Sequence, residues 1–217
     1  EKTGADIDEV SLAVGMDSRI GGNFLKASIG FGGSCFKKDI LNLVYIMQHY
    51  GLDIEARYWQ GVIDINNHQT ERFAEFISNK IKSSHKKSVS IFGWAFKKNT
   101  NDSRESASIY LAKNLINKKI GVKIYDPMVS HKRITEDLAN FNITIDSGLL
   151  SVHNSPYDAI KSSDGVAICT EWDEFVSLNW DSIYEGMNSS PWVFDGRNIL
   201  DREKLEKLGF NLYSLGK

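Results

Sequence analysis

Val89-Ser90-Ile91-Phe92-Gly93 reads as a short apolar strand closed by a glycine, and the alternation that begins there decides the fold. A loop comes next, then a helix of about 15 residues expected from Ser103. Val122-Lys123-Ile124-Tyr125 is a second strand, ended by Asp126-Pro127 because proline cannot continue a ladder. Further strands are expected at Ile143-Thr144-Ile145, Val166-Ala167-Ile168-Cys169, Trp192-Val193-Phe194 and Asn211-Leu212-Tyr213-Ser214. Helices starting at Tyr157, Trp180 and Arg202 fall between them. Strands alternating with helices predict an α/β, Rossmann-like, doubly wound parallel sheet.

Upstream the pattern is helical. Residues 1–85 read as a helical segment and 86–217 as the sheet domain, with the charged, serine-rich Lys82-Ser83-Ser84-His85-Lys86-Lys87 as the boundary. The helical part contains Asp6 to Val14, a helix ending near Tyr50 before Gly51, and a long periodic stretch from Ile54 to Ile81. The chain starts at Glu1 inside a helical pattern, so it is expected to be the C-terminal portion of a longer protein.

Sheets of this kind bind ligands beyond the carboxyl ends of their strands. Phe96 and Lys97 follow the first strand, Glu171 and Trp172 the Ile168 strand, and Gly196-Arg197 the Phe194 strand. A ring and two cations suit a nucleoside diphosphate. Trp172 is read as packing. No Gly-x-Gly-x-x-Gly follows a strand, so the dinucleotide fingerprint is absent from these residues.

The chemistry is expected in the helical part, at Gly30-Phe31-Gly32-Gly33-Ser34-Cys35-Phe36-Lys37-Lys38-Asp39. Glycines let backbone approach a ligand closely. The apolar run Ile40 to Met47 has helical spacing, which places Cys35 at a helix start, among unpaired N–H groups. That setting, with Lys37 and Lys38 nearby, favours a thiolate nucleophile. Asp39 lies four residues on and could handle a proton or position water. A free cysteine is more often a small buried hydrophobe, and Cys169 fits that description.

Composition excludes several functions. A net charge of −2 offers no basic field, so nucleic acid and acidic membrane surfaces are not expected partners. No apolar stretch approaches the roughly 20 residues that span a bilayer. Two cysteines in unlike contexts make no disulfide framework and suggest a reducing compartment, the cytoplasm. No metal is expected.

Gly30 to Asp39 resembles the active-site signature of the UDP-glucose/GDP-mannose dehydrogenase family. The resemblance continues through Ala56-Arg57-Tyr58-Trp59-Gln60, Phe96-Lys97-Lys98, Ser103-Arg104-Glu105-Ser106, Ile124-Tyr125-Asp126-Pro127, Ile168-Cys169-Thr170-Glu171-Trp172-Asp173 and Phe194-Asp195-Gly196-Arg197. It implies NAD-dependent oxidation of the C6 alcohol of UDP-glucose to the carboxylate of UDP-glucuronate, through a cysteine thiohemiacetal and thioester. By this resemblance Cys35 is the nucleophile and Asp39 activates or positions the hydrolytic water. Lys26, Ala27, Ser28, Ile29, Gly30, Phe31 and Gly32 line the sugar and phosphates, Phe96 and Lys97 touch substrate, Arg19 and Arg197 reach its oxygens, and Arg104 contacts NAD. It also implies self-association as a dimer or hexamer, with an arginine crossing between subunits. A sister enzyme acting on GDP-mannose, and a non-catalytic nucleotide-sugar-binding module, are the alternatives. With the family's NAD-binding part upstream of Glu1, the chain alone is expected to reduce no NAD. Asn99 and Asn101 depart from the family pattern, and since asparagine tolerates a left-handed backbone, that turn is expected to survive.

Overall fold

The computed structural model describes residues 1–81, 87–143 and 148–217. The expected boundary at Lys82–Lys87 therefore falls almost wholly outside the described residues. A short helix α1 (Ile7–Gly15) opens the chain, capped by the Asp6 carboxylate on the Asp8 N–H at 2.8 Å. After an irregular stretch come α2 (Phe36–His49) and the long α3 (Asp53–Lys80). Ile40 and Val44 of α2 pack against Ala56 and Ile63 of α3, giving this helical pair a small core of its own.

The six-stranded sheet comprises β1 (Ser88–Phe92), β2 (Gly121–Tyr125), β3 (Leu150–Val152), β4 (Gly165–Ile168), β5 (Trp192–Asp195) and β6 (Asn211–Ser214). Every pairing is parallel and the order is β3-β2-β1-β4-β5-β6. β1 and β4 are buried at every residue; β4 reads as an unbroken apolar run, and in β1 the buried Ser90 hydroxyl is satisfied by the Ala159 carbonyl. Between the strands lie α4 (Ala107–Asn117), α5 (His131–Asn140), α6 (Pro156–Ala159), α7 (Asp173–Ser177), α8 (Trp180–Gly186) and α9 (Arg202–Leu208). The C-terminal half of α3 joins the sheet core through Phe73, Ala74 and Ile77, so one helix is built into both cores. No helix among the described residues is long and apolar enough to cross a membrane.

One expectation is corrected and one falls largely outside the described residues. The third strand of the sheet is Leu150–Val152; of the strand expected at Ile143–Ile145, Ile143 is buried coil after α5, and Thr144 and Ile145 lie outside the described residues. The helix expected from Ser103 starts instead after Ser106, whose side chain caps it through the Ser108 N–H. Ser103 cannot begin that helix because its hydroxyl is drawn to the buried Asp137 carboxylate, and Glu105 sits at φ +55, outside helical space.

Candidate functional site

Cys35 is exposed and caps the N-terminus of α2, its carbonyl accepting from the Asp39 N–H at 2.8 Å. Its sulfur lies 3.7 Å from the Ser34 hydroxyl. Asp39 is exposed in the first turn of the same helix. Lys37 does not serve the thiol as a free cation. Its ammonium donates to Glu105 at 2.8 Å and to the Tyr110 hydroxyl at 2.7 Å. Burial disfavours the Lys37 charge, but these two hydrogen bonds outweigh it and hold its pKa above the ordinary lysine value. Burial likewise opposes the Glu105 charge, yet Lys37 and Tyr110 pull its pKa below the usual carboxylate value.

The turn before Cys35 is clasped against the loop after β1. The Gly33 N–H donates to the Arg104 carbonyl at 2.9 Å. A Cβ on Gly32 would stand 2.6 Å from the Glu105 carbonyl oxygen and 3.0 Å from the Phe96 Cβ. Gly33, at φ +90, faces the Phe96 ring. Glycine is required at both positions, at one by contact and at the other by backbone conformation. From the other side α3 holds the same backbone. The Asn66 amide pairs with both the N–H and the carbonyl of Phe31, at 2.7 and 3.3 Å. The Thr70 hydroxyl donates to the Ile29 carbonyl at 2.8 Å. Asn66 and Thr70 are one helical turn apart, so both face the turn.

The structure thus brings Gly30, Phe31, Gly32, Cys35, Phe96 and Arg104 together. Lys97 is exposed, its ammonium 5.5 Å from the Phe96 ring centroid. The exposed Arg104 guanidinium grips Asp102 at 2.9 and 2.7 Å. The loop carrying it is anchored by Asp137, a buried carboxylate that accepts from Trp94 Nε1 at 3.0 Å and from Ser103, and pairs with Arg133 at 3.0 Å. Asn99 holds the left-handed conformation expected of an asparagine there, at φ 62.

A second group gathers beside the β5–α9 loop. A cavity of about 490 Å³ is lined by Asp8, Ser11, Lys26, Ala27, Arg197 and Asn198, among others. The Arg197 guanidinium lies 2.8 Å from Glu171, as an ion pair without hydrogen-bond geometry. Arg197 Nε and Asn198 Oδ1 are buried with no hydrogen-bond partner among the described residues. Buried polar atoms are ordinarily satisfied, so these two are poised for a polar ligand. Gly196 packs on Ile29, a Cβ there falling 2.5 Å from Ile29 Cγ2, which ties this loop to the same segment that leads into the cysteine turn. Ser28 bonds within that segment, its hydroxyl donating to the Gly30 carbonyl at 2.9 Å.

Two expected site residues stand apart. The Ile29 side chain is 1% exposed and belongs to the core, so only its backbone can face a ligand. Arg19 is highly exposed on the irregular stretch after α1, paired with Asp17 at 2.6 Å and not among the residues that line the cavity. Sequence reading missed Asn66, Thr70, Glu105 as a Lys37 partner, and Tyr110. The i, i+4 spacing of Asn66 and Thr70 was the one available signal. A larger cavity of about 1100 Å³ opens at the amino-terminal ends of the strands, opposite to the edge where such sheets bind ligands.

The sheet does not fit a dinucleotide in its own crevice. The Asp126 carboxylate accepts from the Trp94 and Ala95 N–H groups, at 2.6 and 3.0 Å, and from Trp172 Nε1 at 3.2 Å. An internal carboxylate takes the N–H groups just after β1, where a dinucleotide-binding sheet would hold a pyrophosphate. Trp172 is buried packing, as expected.

Comparisons with known proteins agree on one family. Residues 1–68 match the central domain of the UDP-glucose/GDP-mannose dehydrogenase family, and residues 90–202 match its UDP binding domain. The chain is 46% identical over 222 residues to UDP-glucose 6-dehydrogenase of Drosophila melanogaster, and 45% identical over 223 residues to that of Mus musculus. Each alignment takes in 100% of this chain, but 47% and 45% of the relative, so the chain spans about half the length of these proteins. Among solved structures it is similar to a UDP-glucose dehydrogenase from Pyrobaculum islandicum, with a TM-score of 0.74 at 26% identity, covering 97% of this chain and 45% of that one. An NDP-N-acetyl-D-galactosaminuronic acid dehydrogenase from Methanosarcina mazei shares the fold, with a TM-score of 0.76 at 18% identity over 100% of this chain and 45% of that one.

Proposed function

Because this chain belongs to the UDP-glucose/GDP-mannose dehydrogenase family, we propose that it supplies the cysteine turn and the nucleotide-sugar pocket of an enzyme that oxidises UDP-glucose to UDP-glucuronate. The observation that carries the reading is the meeting of the exposed Cys35 turn with Phe96 and Arg104 of the sheet loop, beside a cavity bearing Lys26 and Arg197. We take residues 1–85 as the catalytic helical unit and 86–217 as the UDP-binding unit, which the separate family matches support.

In this reading Lys26 and the buried Arg197 Nε neutralise the diphosphate, and the backbone of Ala27 to Gly32 faces the sugar. Phe96 and Lys97 close on it from the sheet. Two NAD+ bound in sequence would each accept one hydride. Cys35 Sγ bonds to the aldehyde carbon made by the first oxidation, giving a thiohemiacetal whose hydroxyl carries the proton. Oxidation of that carbon leaves a thioester, and this also keeps the aldehyde from escaping. Water, positioned by Asp39, attacks the thioester carbon, the C–S bond breaks, and the thiol is restored as the carboxylate leaves.

The chain's Leu41, Tyr45, Ile54, Tyr58 and Ile65 leave α2 and α3 with exposed apolar side chains, which supports self-association with a second copy. Titration calorimetry with UDP-glucose, GDP-mannose and NAD+ tests the substrate reading. UDP-glucose is expected to bind selectively and to lose at least tenfold in affinity in Arg197→Ala, the cost of removing a charged hydrogen-bond donor. Equal binding of GDP-mannose, or an unaffected Arg197→Ala, overturns it.

A further inference from the structure

Three side chains from three separate places close a ring beside the cysteine turn. Lys37 comes from the first turn of α2, Glu105 from the loop after β1, and Tyr110 from α4. Lys37 donates to both partners and the Tyr110 hydroxyl donates to the Glu105 carboxylate, so each member bonds to the other two. The Lys37 ammonium also lies 4.9 Å from the centroid of the Tyr110 ring, and that ring packs edge-on against Phe141. The group is partly buried, with side-chain exposures of 24% for Lys37 and 36% for Glu105.

Glu105 adopts φ +55, a left-handed conformation that an ordinary side chain adopts only when its surroundings hold it. That conformation does two things at once here. It sets the Glu105 carbonyl against Gly32, and it aims the carboxylate at Lys37. The neighbouring Arg104 carbonyl takes the Gly33 N–H. The side-chain ring and the backbone contact therefore lock the same two segments, two residues either side of Cys35.

We propose that Lys37, Glu105 and Tyr110 are positioning residues: a polar clasp that fixes the Cys35 turn against the Phe96 loop, so that the sugar end of a nucleotide sugar meets a preformed surface. The assignment of that ligand rests on the function proposed above; the clasp itself does not. Opening it frees the turn without removing any group that faces the ligand. The nucleotide end, held at Lys26 and Arg197, keeps its affinity, and the sugar end loses it.

Amide hydrogen exchange on the whole chain reads the clasp directly, through the Gly33 N–H. In Lys37→Met and Glu105→Gln that amide is expected to exchange about tenfold faster or more, the effect of losing a charge-assisted hydrogen bond from a local opening. The Ile91 amide, inside the sheet, stays as in the parent chain. Lys37→Arg, which keeps the ion pair, restores most of the protection, and the milder Tyr110→Phe serves should a charge variant fail to fold. Calorimetry then compares UDP with UDP-glucose: UDP-glucose weakens about tenfold in the clasp variants and UDP changes by less than about twofold. Unchanged Gly33 exchange in Lys37→Met and Tyr110→Phe overturns the clasp, as does an equal loss at Gly33 and Ile91, which marks a general structural role. Faster Gly33 exchange in a chain that binds neither ligand sustains the clasp and overturns the substrate reading alone.

Discussion

Gly32→Ala tests the joint between the cysteine turn and the sheet loop most severely. The added Cβ would lie 2.6 Å from the Glu105 carbonyl oxygen, and 3.0 Å from both the Phe96 Cβ and the Ser106 Cα. None of these is the far end of a flexible side chain. Ordinary contact begins near 3.4 Å, so turn and loop must part by about 0.8 Å. The Gly33 N–H to Arg104 carbonyl bond, now 2.9 Å, would then lie beyond hydrogen-bond reach. Overpacking costs about 1–3 kcal/mol and the lost bond about 1 kcal/mol, giving roughly 2–4 kcal/mol together. For a chain of this length that is a fall in Tm of about 4–16 °C. Scanning calorimetry measures it. Gly61→Ala is the control, since it lies inside α3 where a Cβ meets nothing within 4 Å. It is expected to stabilise by about 0.5–1 kcal/mol, because alanine loses less backbone entropy in a helix. A Gly32→Ala chain melting within about 1 °C of its parent would refute the steric reasoning.

Three more expectations concern single groups. Burial disfavours the Glu1 charge, but Arg72, Tyr213 and the Gly216 N–H more than compensate and pull its pKa from 4.5 to about 2. A depressed folded-state value means the stabilisation is complete above pH 4.5 and is lost as pH falls through about 2. Glu1→Gln should therefore cost about 1 kcal/mol near neutral pH, after discounting for solvent, and the gap between the two melting curves should close on acidification; a gap independent of pH contradicts this. Burial pushes the Cys169 thiol up to about 12, so iodoacetamide at about pH 8 should add once to the folded chain, at the exposed Cys35, and two adducts by mass spectrometry would be the contrary result. Asp126→Ala leaves the N–H groups of Trp94, Ala95, Met128 and Val129 and the Trp172 indole without their acceptor. A loss of more than about 3 kcal/mol is expected in urea unfolding, and less than about 1 kcal/mol would mean that water replaces the carboxylate.

Which of these features could be read from the sequence depended on how local their causes are. β1, β2, β4, β5 and β6 announce themselves as short stretches rich in β-branched and aromatic residues, which for β1 and β4 are buried throughout. β3 is Leu-Ser-Val, three residues at a sheet edge with only Leu150 buried, and it offers no such run. The start of α4 was misread because a distant carboxylate, Asp137, captures Ser103, and no local propensity records that. Within the site, the placement of Cys35 at a helix start behind its glycine turn was legible, since that arrangement is written in consecutive residues. Asn66, Thr70, Glu105 and Tyr110 were not. Their partners in the cysteine segment lie 35 to 73 residues away, and before folding each is one more polar side chain on a helix or loop. Lys37 was misread for the same reason: its nearest charge in space is Glu105, not its neighbour in sequence.

The closed crevice of the sheet explains where a ligand surface can lie. Strand order β3-β2-β1-β4-β5-β6 puts the topological switch between β1 and β4, the place where an open sheet of this type would ordinarily take a nucleotide. Here Asp126 consumes the Trp94 and Ala95 N–H groups just after β1, and the indole of Trp172, from the β4–α7 loop, seals the same carboxylate. Among the described residues, the buried polar atoms left unsatisfied at the carboxyl edge include those of Arg197 and Asn198, after β5. The helical segment comes to that edge at two points, Gly32 against the Phe96 loop and Ile29 against Gly196, and at each a glycine is the residue that permits contact. Neither part carries a complete site. The turn has the thiol but few fixed charges, and the sheet has the charges but no exposed thiol, since Cys169 is buried. On the function proposed above, a ligand bearing an anionic end and a reactive carbon would span both, and the precision of the joint, rather than any one pocket wall, would set how well its carbon meets Cys35.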